Sequence, residues 1–441
     1  MLKSTMRKSL TWSELESFAK QLGTWSDDTH TRETGPTNAR STFRRFDAKD
    51  LKSEDASVVL YRDNHAWCPY CQKIWLWLEE KRVPYRIEKV TMFCYGEKES
   101  WYKRIVPSGM LPALGLHGRV ITESDDILMA LEREFGTLGP GMTDAQVVPL
   151  RRMERQLFRT WCQWLCYPSR SFKDEMKNQE MFESMAKIVD DTLGATSQDG
   201  PYFLGSELCT ADVIFTPYIE RMAASLFYYK GYDIKQQNVH ISHWFEAMET
   251  RTTYLGTQSD YHTHVHDLPP QMGGCYSSGT PSAEECAALV NAGIGVRPEA
   301  SHAEPDTALQ EAMLRLMKHK DTVININPLS AQKDTLDEAL RCVLTRMATG
   351  EDCVPPAGTD HALRYIRDRI SVPRDMSLFA GRKLRTALEM TAGLDGERQG
   401  PTIPFKHRRD QNVVPFREAR EGHGGRRRGT TSSGGKTCGA M

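Results

Sequence analysis

The sequence has no strong excess of charge, no long apolar run and no internal repeat, and these absences narrow the classes of protein. Its 441 residues include 57 basic and 58 acidic side chains, for a formal net charge of -1. That balance gives no reason to expect nucleic acid or an anionic membrane as a partner. No run of about 18 apolar residues occurs, so no membrane span is expected. The length fits two or three domains of about 100–200 residues each.

The cysteines do not form the framework of a small secreted protein. There are 11 of them, an odd number spread along the chain, whereas a secreted framework shows an even number in a short sequence. Most are therefore expected to be reduced thiols in a reducing compartment. The basic N-terminus is followed by acidic residues such as Glu14 and Glu16, which argues against a plastid transit peptide. We expect a cytoplasmic location, with the chloroplast as the alternative.

Sequence patterns divide the chain into five segments. Residues 1–56 are predicted to be an arm with one short helix, opened by the capping-box pair Thr11 and Glu14. Residues 57–135 show runs in the order β-α-β-α-β-β-α, which predicts an α/β layer with a mixed four-stranded sheet. The other segments are an all-α domain at 144–255, a mostly helical extension of unknown role at 256–394 and a polar tail at 395–441 expected to be disordered.

The run Cys68-Pro69-Tyr70-Cys71 lies where a predicted strand gives way to a predicted helix. The free N–H groups and the dipole of a helix N-terminus stabilise a thiolate, which is the reactive form of cysteine. Cys71, one turn later, can close a disulfide with Cys68 or resolve a mixed disulfide. The alternatives are half a zinc site or two core cysteines, but zinc needs two further ligands that the α/β region does not supply. The pattern therefore predicts redox or nucleophilic thiol chemistry.

Two further features accompany this motif. Pro112 directly precedes a predicted strand, and Glu123-Ser124 stands at a strand-to-helix junction. A serine at a helix start leaves N–H groups and a hydroxyl for an anion. Taken alone, the first is an ordinary strand-entry proline and the second a helix cap.

Together and in this order, followed by an all-α segment, these features resemble the soluble glutathione transferase superfamily over about residues 57–255. The glutaredoxin-like paired-cysteine tract from His65 to Trp77 is most similar to the iota class of photosynthetic organisms. Members of that class carry a long additional C-terminal region, whereas omega, lambda and dehydroascorbate reductase classes use a single cysteine. The resemblance implies a thioredoxin-like N-terminal domain, an all-α C-terminal domain and glutathione as co-substrate.

The resemblance also implies roles for individual residues. Cys68 corresponds to the catalytic cysteine, with Cys71 as its partner. In this fold the proline is cis and leaves the preceding backbone free to pair with the cysteinyl unit of glutathione. The corresponding glutathione-binding residues are Lys98, Leu111, Pro112, Glu123 and Ser124.

Aromatic residues are candidates for the substrate pocket, although core packing is their commoner role. The candidates are Trp67, Tyr70, Trp161 and Trp164. His65, three residues before the first cysteine, would stabilise a thiolate if it were protonated, but a loop histidine bonded to the backbone is the more ordinary role.

Three alternating histidines form a separate feature. His262, His264 and His266 would share one face of an extended chain. Such a set could bind a metal with ligands from elsewhere. Surface or interface histidines are the commoner case, so no metal is expected.

The predicted function is that of a glutathione-dependent thiol transferase or reductase, acting on a disulfide, dehydroascorbate, a glutathionylated protein or another small electrophile. The alternative is a binding module that holds an iron–sulfur cluster or a ligand with glutathione but has no turnover. A third interpretation makes residues 256–420 a regulatory domain carried by the transferase body. A homodimer is an open alternative for the assembly.

Overall fold

The computed structural model describes residues 8–27, 31–33, 35–327 and 329–395. The tail predicted at 395–441 lies outside these residues, apart from its first residue. None of the helices in the described part of the chain is long and apolar enough to cross a membrane.

A six-stranded mixed sheet has the strand order β1-β2-β4-β3-β5-β6. The strands are β1 Thr31–Arg32, β2 Phe43–Arg44, β3 Val58–Asp63, β4 Tyr85–Val90, β5 Ala113–Leu116 and β6 Arg119–Thr122. Strand β3 pairs parallel with β4 and antiparallel with β5, and β6 pairs antiparallel with β5. The four predicted strands are therefore confirmed. The sequence did not indicate β1 and β2, because two-residue strands carry no hydrophobic period.

Sixteen α-helices lie within the described residues. The arm and the sheet domain contain α1 Trp12–Gln21, α2 Pro69–Lys81, α3 Ser100–Ile105 and α4 Ser124–Phe135. The next six are α5 Val147–Leu165, α6 Phe172–Ala195, α7 Thr210–Lys230, α8 Ile234–Gln237, α9 Val239–Met248 and α10 Thr252–Leu255. The last six are α11 Tyr261–Met272, α12 Pro281–Asn291, α13 Ala308–Ile326, α14 Lys333–Thr349, α15 Asp360–Arg369 and α16 Leu378–Ala392.

Helix α7 is the central element and is buried along almost its whole length. A helix that is apolar all round belongs in a core rather than at a surface. Its start is held by Asp212, whose carboxylate accepts the backbone N–H of Cys209 at 2.9 Å and the indole N–H of Trp244 at 2.9 Å. Helices α2, α5, α11 and α12 pack around it, so α7 joins the sheet domain to the helical part.

The N-terminal arm belongs to the C-terminal helical layer. Leu15 and Ala19 of α1 are fully buried in a second hydrophobic core made with α13 to α16. The indole N–H of Trp12 donates to Asp337 at 2.9 Å. As predicted, Thr11 and Glu14 form the capping box of α1.

The expectation that His262, His264 and His266 share one face of an extended chain is wrong. These histidines lie on α11 and are buried. Asp260 caps this helix by accepting the N–H of Thr263 at 2.9 Å. Alternation by itself is typical of a strand. Here the capping bond of Asp260 begins a helix instead.

Candidate active site

The thiol motif stands at the N-terminus of α2. Cys68 is the N-cap residue with extended backbone, and Pro69 begins the helix. The preceding loop is fixed by Asp63 at the end of β3. Its buried carboxylate accepts the N–H of Trp67 at 2.7 Å and of Cys68 at 3.3 Å. The sequence prediction did not include Asp63, although a polar residue ending an apolar strand just before the motif was a usable signal.

Cys71 lies beneath Cys68. The two sulfurs and a carboxylate oxygen of Asp63 lie within 4.8 Å of one another. Burial, together with the hydrogen bond to Cys68, raises the pKa of Cys71 well above its ordinary value. Cys71 is 1 % exposed and Cys68 is 7 % exposed. The pair therefore consists of an outer thiol at a helix end and an inner thiol that stays protonated.

The predicted cis-proline turn faces this pair. The Leu111–Pro112 bond is cis, which confirms the expectation. Leu111 packs against the small apolar cluster that contains both cysteines. Tyr102 steadies the turn by donating its hydroxyl to the carbonyl of Met110 at 2.5 Å. The backbone of Leu111 is thereby presented beside Cys68.

The strand-to-helix junction at the start of α4 has an unusual backbone. Glu123 is exposed and has a φ of 63°, a region that residues other than glycine rarely adopt. Ser124 follows as the buried first residue of the helix. Non-glycine residues with such backbone angles cluster at ligand-binding positions.

Next to this junction, Asp125 ties α4 to two other helices. Its carboxylate accepts Lys73 Nζ at 2.6 Å and Arg151 Nη2 at 2.9 Å. Burial opposes ionisation, but Lys73 and Arg151 outweigh it and lower the pKa of Asp125 to about 2. The start of α4 is thus held in place by an ionised carboxylate between two cations.

Lys98 lies near the two thiols. Its Nζ donates to the carbonyl of Thr91 at 3.0 Å. Burial lowers the pKa of Lys98, while the nearby Cys71, Cys68 and Asp63 raise it. A lysine therefore lies in the electrostatic surroundings of the thiols, and its contact with the glycine carboxylate of glutathione stays a prediction.

Three side chains contact the indole ring of Trp67. Its ring stacks on His65 with centroids 4.3 Å apart and meets the edge of Tyr95 at 4.9 Å. The guanidinium of Arg374, from the C-terminal extension, lies 5.7 Å from the ring centroid. Tyr70 is half-buried and meets Tyr218 of α7 edge-on, with ring centroids 5.8 Å apart. Of the predicted pocket residues, Trp67 and Tyr70 therefore adjoin the thiols.

Trp161 and Trp164 do not line a pocket, which corrects the sequence-based assignment. Each is 1 % exposed within the helical core. Their indole N–H groups donate to Ser225 at 3.0 Å and to Glu175 at 2.7 Å. Core packing accounts for both residues.

A buried polar network links the thiol helix α2 to α7. Gln72, next to Cys71, donates to Glu220 at 3.1 Å and accepts from Arg221 at 2.8 Å. Arg221 also donates to the carbonyl of Trp67 at 2.7 Å. Sequence analysis missed this set, although Glu220-Arg221 within an otherwise apolar helix was a signal.

Asp63, Cys68 and Cys71 are also the group in the described chain whose donor atoms are arranged for a metal ion. Thiolates favour soft cations. Both carboxylate oxygens of Asp63 already accept backbone N–H groups. This competition weakens the third ligand, so the geometry fits thiol chemistry better than a metal centre.

Two family models match the chain. Residues 67–134 match the one described as Glutathione S-transferase, N-terminal domain, and residues 158–256 match Glutathione S-transferase, C-terminal domain. The fold is a thioredoxin-like glutathione transferase N-terminal domain followed by a helical glutathione transferase C-terminal domain, with a helical extension. These matches support placing the chain in the glutathione transferase superfamily.

Two plant proteins and one solved structure illustrate the similarity. The chain is 23 % identical over 211 residues to Glutathione S-transferase DHAR3, chloroplastic, of Arabidopsis thaliana. The alignment covers 47 % of this chain and 75 % of the relative. It is 25 % identical over 209 residues to Probable glutathione S-transferase DHAR1, cytosolic, of Oryza sativa subsp. japonica. That alignment covers 46 % of this chain and 89 % of the relative. The crystal structure of Chlamydomonas reinhardtii dehydroascorbate reductase superposes with a TM-score of 0.37 at 19 % identity, covering 45 % of this chain and 90 % of that one.

Proposed function

We propose that the protein is a glutathione-dependent thiol transferase or reductase in which Cys68 is the nucleophile. The observation that carries this proposal is the position of Cys68 as the N-cap of α2, beside the cis Leu111–Pro112 turn. The helix end offers N–H groups to a thiolate, and the turn offers main-chain atoms to a peptide. A nucleophilic sulfur and a tripeptide-binding edge thus lie together.

Glutathione would extend from the cis-proline turn to the start of α4. The backbone of Leu111 would pair with the cysteinyl unit, and Glu123 with Ser124 would hold the γ-glutamyl end. The N–H groups of a helix start suit the γ-glutamyl carboxylate. Lys98 would supply a positive charge near the thiols.

With a glutathionylated substrate, the reaction is a thiol–disulfide exchange in two steps. The Cys68 thiolate attacks the glutathione sulfur of a glutathionylated substrate, and the substrate thiol leaves. A second glutathione thiolate then attacks the glutathione sulfur of the mixed disulfide, which releases glutathione disulfide and regenerates Cys68. Because its pKa is raised, Cys71 is a poor attacking group, and we propose that the monothiol route dominates.

The proposed substrate class is based on the names of the similar proteins. Their names make dehydroascorbate the first candidate, followed by glutathionylated proteins and small disulfides. The same names include a cytosolic and a chloroplastic protein, and we propose a cytoplasmic location with the chloroplast as the alternative. The iota class stays a prediction that rests on the paired cysteines.

A substrate panel with glutathione tests the proposal on wild type, Cys68→Ser and Cys71→Ser. We expect Cys68→Ser to lose turnover by at least about a hundredfold, because an alcohol does not replace a thiolate nucleophile. Cys71→Ser should keep most of it. Full activity in Cys68→Ser would refute the assignment.

The grouping of Asp63 with the two cysteines favours one second candidate, a glutathione-assisted iron–sulfur module. Anaerobic purification followed by absorbance spectroscopy distinguishes the two. A stable visible chromophore in a protein that turns over no substrate of the panel would support the binding module instead.

A further inference from the structure

Three thiols outside the proposed active site converge where α5 ends. Cys166 is the C-cap residue of α5, and its N–H donates to the carbonyl of Cys162 one turn earlier at 2.8 Å. Cys275 lies in the loop after α11. The N–H of the next residue, Tyr276, donates to the carbonyl of Leu165 at 2.9 Å. This main-chain bond holds the loop against the helix end and brings Cys275 beside Cys166.

The three sulfurs are not equivalent. Hydrogen bonds from Cys162 and Cys275, aided by the charge of Lys230 and opposed by burial, lower the pKa of Cys166. Burial and the bond to Cys166 raise the pKa of Cys275. Lys230 is fixed by an ion pair with Glu175 at 2.9 Å. These directions favour the thiolate form at Cys166 and the thiol form at Cys275.

The site is open to a small reagent. Cys162, Cys166 and Cys275 are all half-buried. The neighbouring Tyr167 and Tyr276 are 51 % and 40 % exposed. The helix end with its three thiols therefore lies at the protein surface.

Geometry selects which pair can close a disulfide. Cβ atoms four residues apart on a helix are about 5–6 Å apart, whereas a disulfide needs about 3.5–4.5 Å. This disfavours a bond between Cys162 and Cys166. Cys275 belongs to a different segment, which can adjust its approach to Cys166.

A soft metal ion does not fit the cluster as well. The buried ammonium of Lys230 lies near the sulfurs and would repel a cation. Within the described ranges, the triad whose donor atoms all lie within 4.8 Å is that of Asp63, Cys68 and Cys71, not this one.

We propose that Cys166 and Cys275 form a second, reversible thiol-modification site that reacts with glutathione disulfide. The Cys166 thiolate attacks one sulfur of glutathione disulfide, the S–S bond breaks and one glutathione thiolate leaves. Cys275 gives its proton to that thiolate and attacks the Cys166 sulfur, which releases the second glutathione. The two protein thiols are oxidised to a disulfide, and glutathione disulfide is reduced to two glutathione molecules.

The test uses full-length Cys68→Ser/Cys71→Ser protein, so that the proposed active-site thiols are absent. The protein is incubated in buffers of rising glutathione disulfide to glutathione ratio, blocked with N-ethylmaleimide and mapped by mass spectrometry without reduction. We expect a Cys166–Cys275 cross-link and a rise in Tm. Adding Cys275→Ser should trap the glutathione adduct on Cys166, and adding Cys166→Ser should abolish both products.

Cys286→Ser is the matched control, because Cys286 is also half-buried but lies on α12. It should leave the cross-link unchanged. A cross-link between other cysteines, or glutathione bound elsewhere in folded protein, would overturn the proposal. If Cys166→Ser does not fold, the alkylation rates of the folded parent decide instead. Cys166 should react with iodoacetamide at least about tenfold faster than Cys286, and equal rates would contradict the proposal.

Discussion

His264 on α11 donates its Nε2 proton to Oε1 of Glu220 on α7 at 2.7 Å, and both side chains are closed off from solvent. Through Gln72, the same carboxylate reaches the helix that carries the thiols. The extension is therefore connected to the transferase body by a buried hydrogen-bonded contact as well as by apolar packing.

Removal of this carboxylate should destabilise the whole protein. Glu220→Ala would leave buried donors of His264, Gln72 and Ser259 without their acceptor. Leaving a buried donor without its acceptor costs about 1–3 kcal/mol. Urea unfolding measures the change, with Glu16→Ala at an exposed i,i+4 pair of α1 as the control. Equal midpoints for the two variants would contradict the expectation.

The same pair should make stability depend on pH. Burial lowers the pKa of His264, while the hydrogen bond to Glu220 raises it. Below about pH 6.5 the unfolded chain binds a proton on this histidine that the folded chain excludes, so stability falls as pH decreases. We expect His264→Gln to flatten the slope of unfolding free energy between about pH 6.5 and 5. An unchanged slope would show that folding does not shift the pKa of His264, which contradicts the expectation.

Removal of the extension should not yield an independent transferase. Truncation after Leu255 would remove α11, whose Val265 is fully buried in the core around α7. We expect loss of cooperative unfolding in circular dichroism, or aggregation. Truncation after Asp395 keeps the carboxylate that accepts the N–H groups of Gly358, Thr359 and Asp360, and this control should unfold cooperatively. A folded, active protein ending at Leu255 would support the separate regulatory domain considered from sequence.

Alkylation should distinguish the two motif cysteines. The raised pKa of Cys71 keeps its thiol protonated near neutral pH, and only the thiolate reacts with an alkylating reagent. Burial restricts access to this sulfur further. Brief iodoacetamide treatment of reduced protein near neutral pH should label Cys68 and spare Cys71, as read by peptide mapping. In urea both should be labelled. Preferential labelling of Cys71 in folded protein would reverse the assigned roles.

The start of α4 can be tested apart from the thiols. Ser124→Ala removes one hydroxyl at the proposed γ-glutamyl position but leaves the N–H groups. We expect KM for glutathione to rise roughly tenfold, about 1.4 kcal/mol, with kcat little changed, which indicates lost binding rather than lost chemistry. Ser197→Ala, at an exposed serine after α6, is the control. A fall in kcat without a change in KM would argue against this role.

Local signals carried most of the fold prediction. The apolar runs of β3 to β6 and the capping box of Thr11 with Glu14 both depend on neighbours in sequence. The cis bond at Pro112 was expected because the resemblance supplied a long-range partner for it. Short-range patterns and a recognised fold were enough for these elements.

The failures all involve contacts distant in sequence. The alternation of His262, His264 and His266 is typical of a strand, but Asp260 at the helix cap and the face of α7 make the segment helical. Trp161 and Trp164 follow a helical stripe that is compatible with either a pocket or a core, and periodicity cannot distinguish the two. The position of Asp63 after an apolar strand was a usable signal, but its contacts with Trp67 and Cys68 depend on how the loop folds back over it.

The arm has a consequence for how the chain is made. Because α1 buries its apolar face among α13 to α16, a ribosome releases the first helix long before the partners it needs exist. Domains usually fold in order from the N-terminus during synthesis. In this chain, α1 lacks its packing partners until the helices of the second core have been synthesised. A chaperone that holds nascent apolar helices would then find its target at the beginning of this chain.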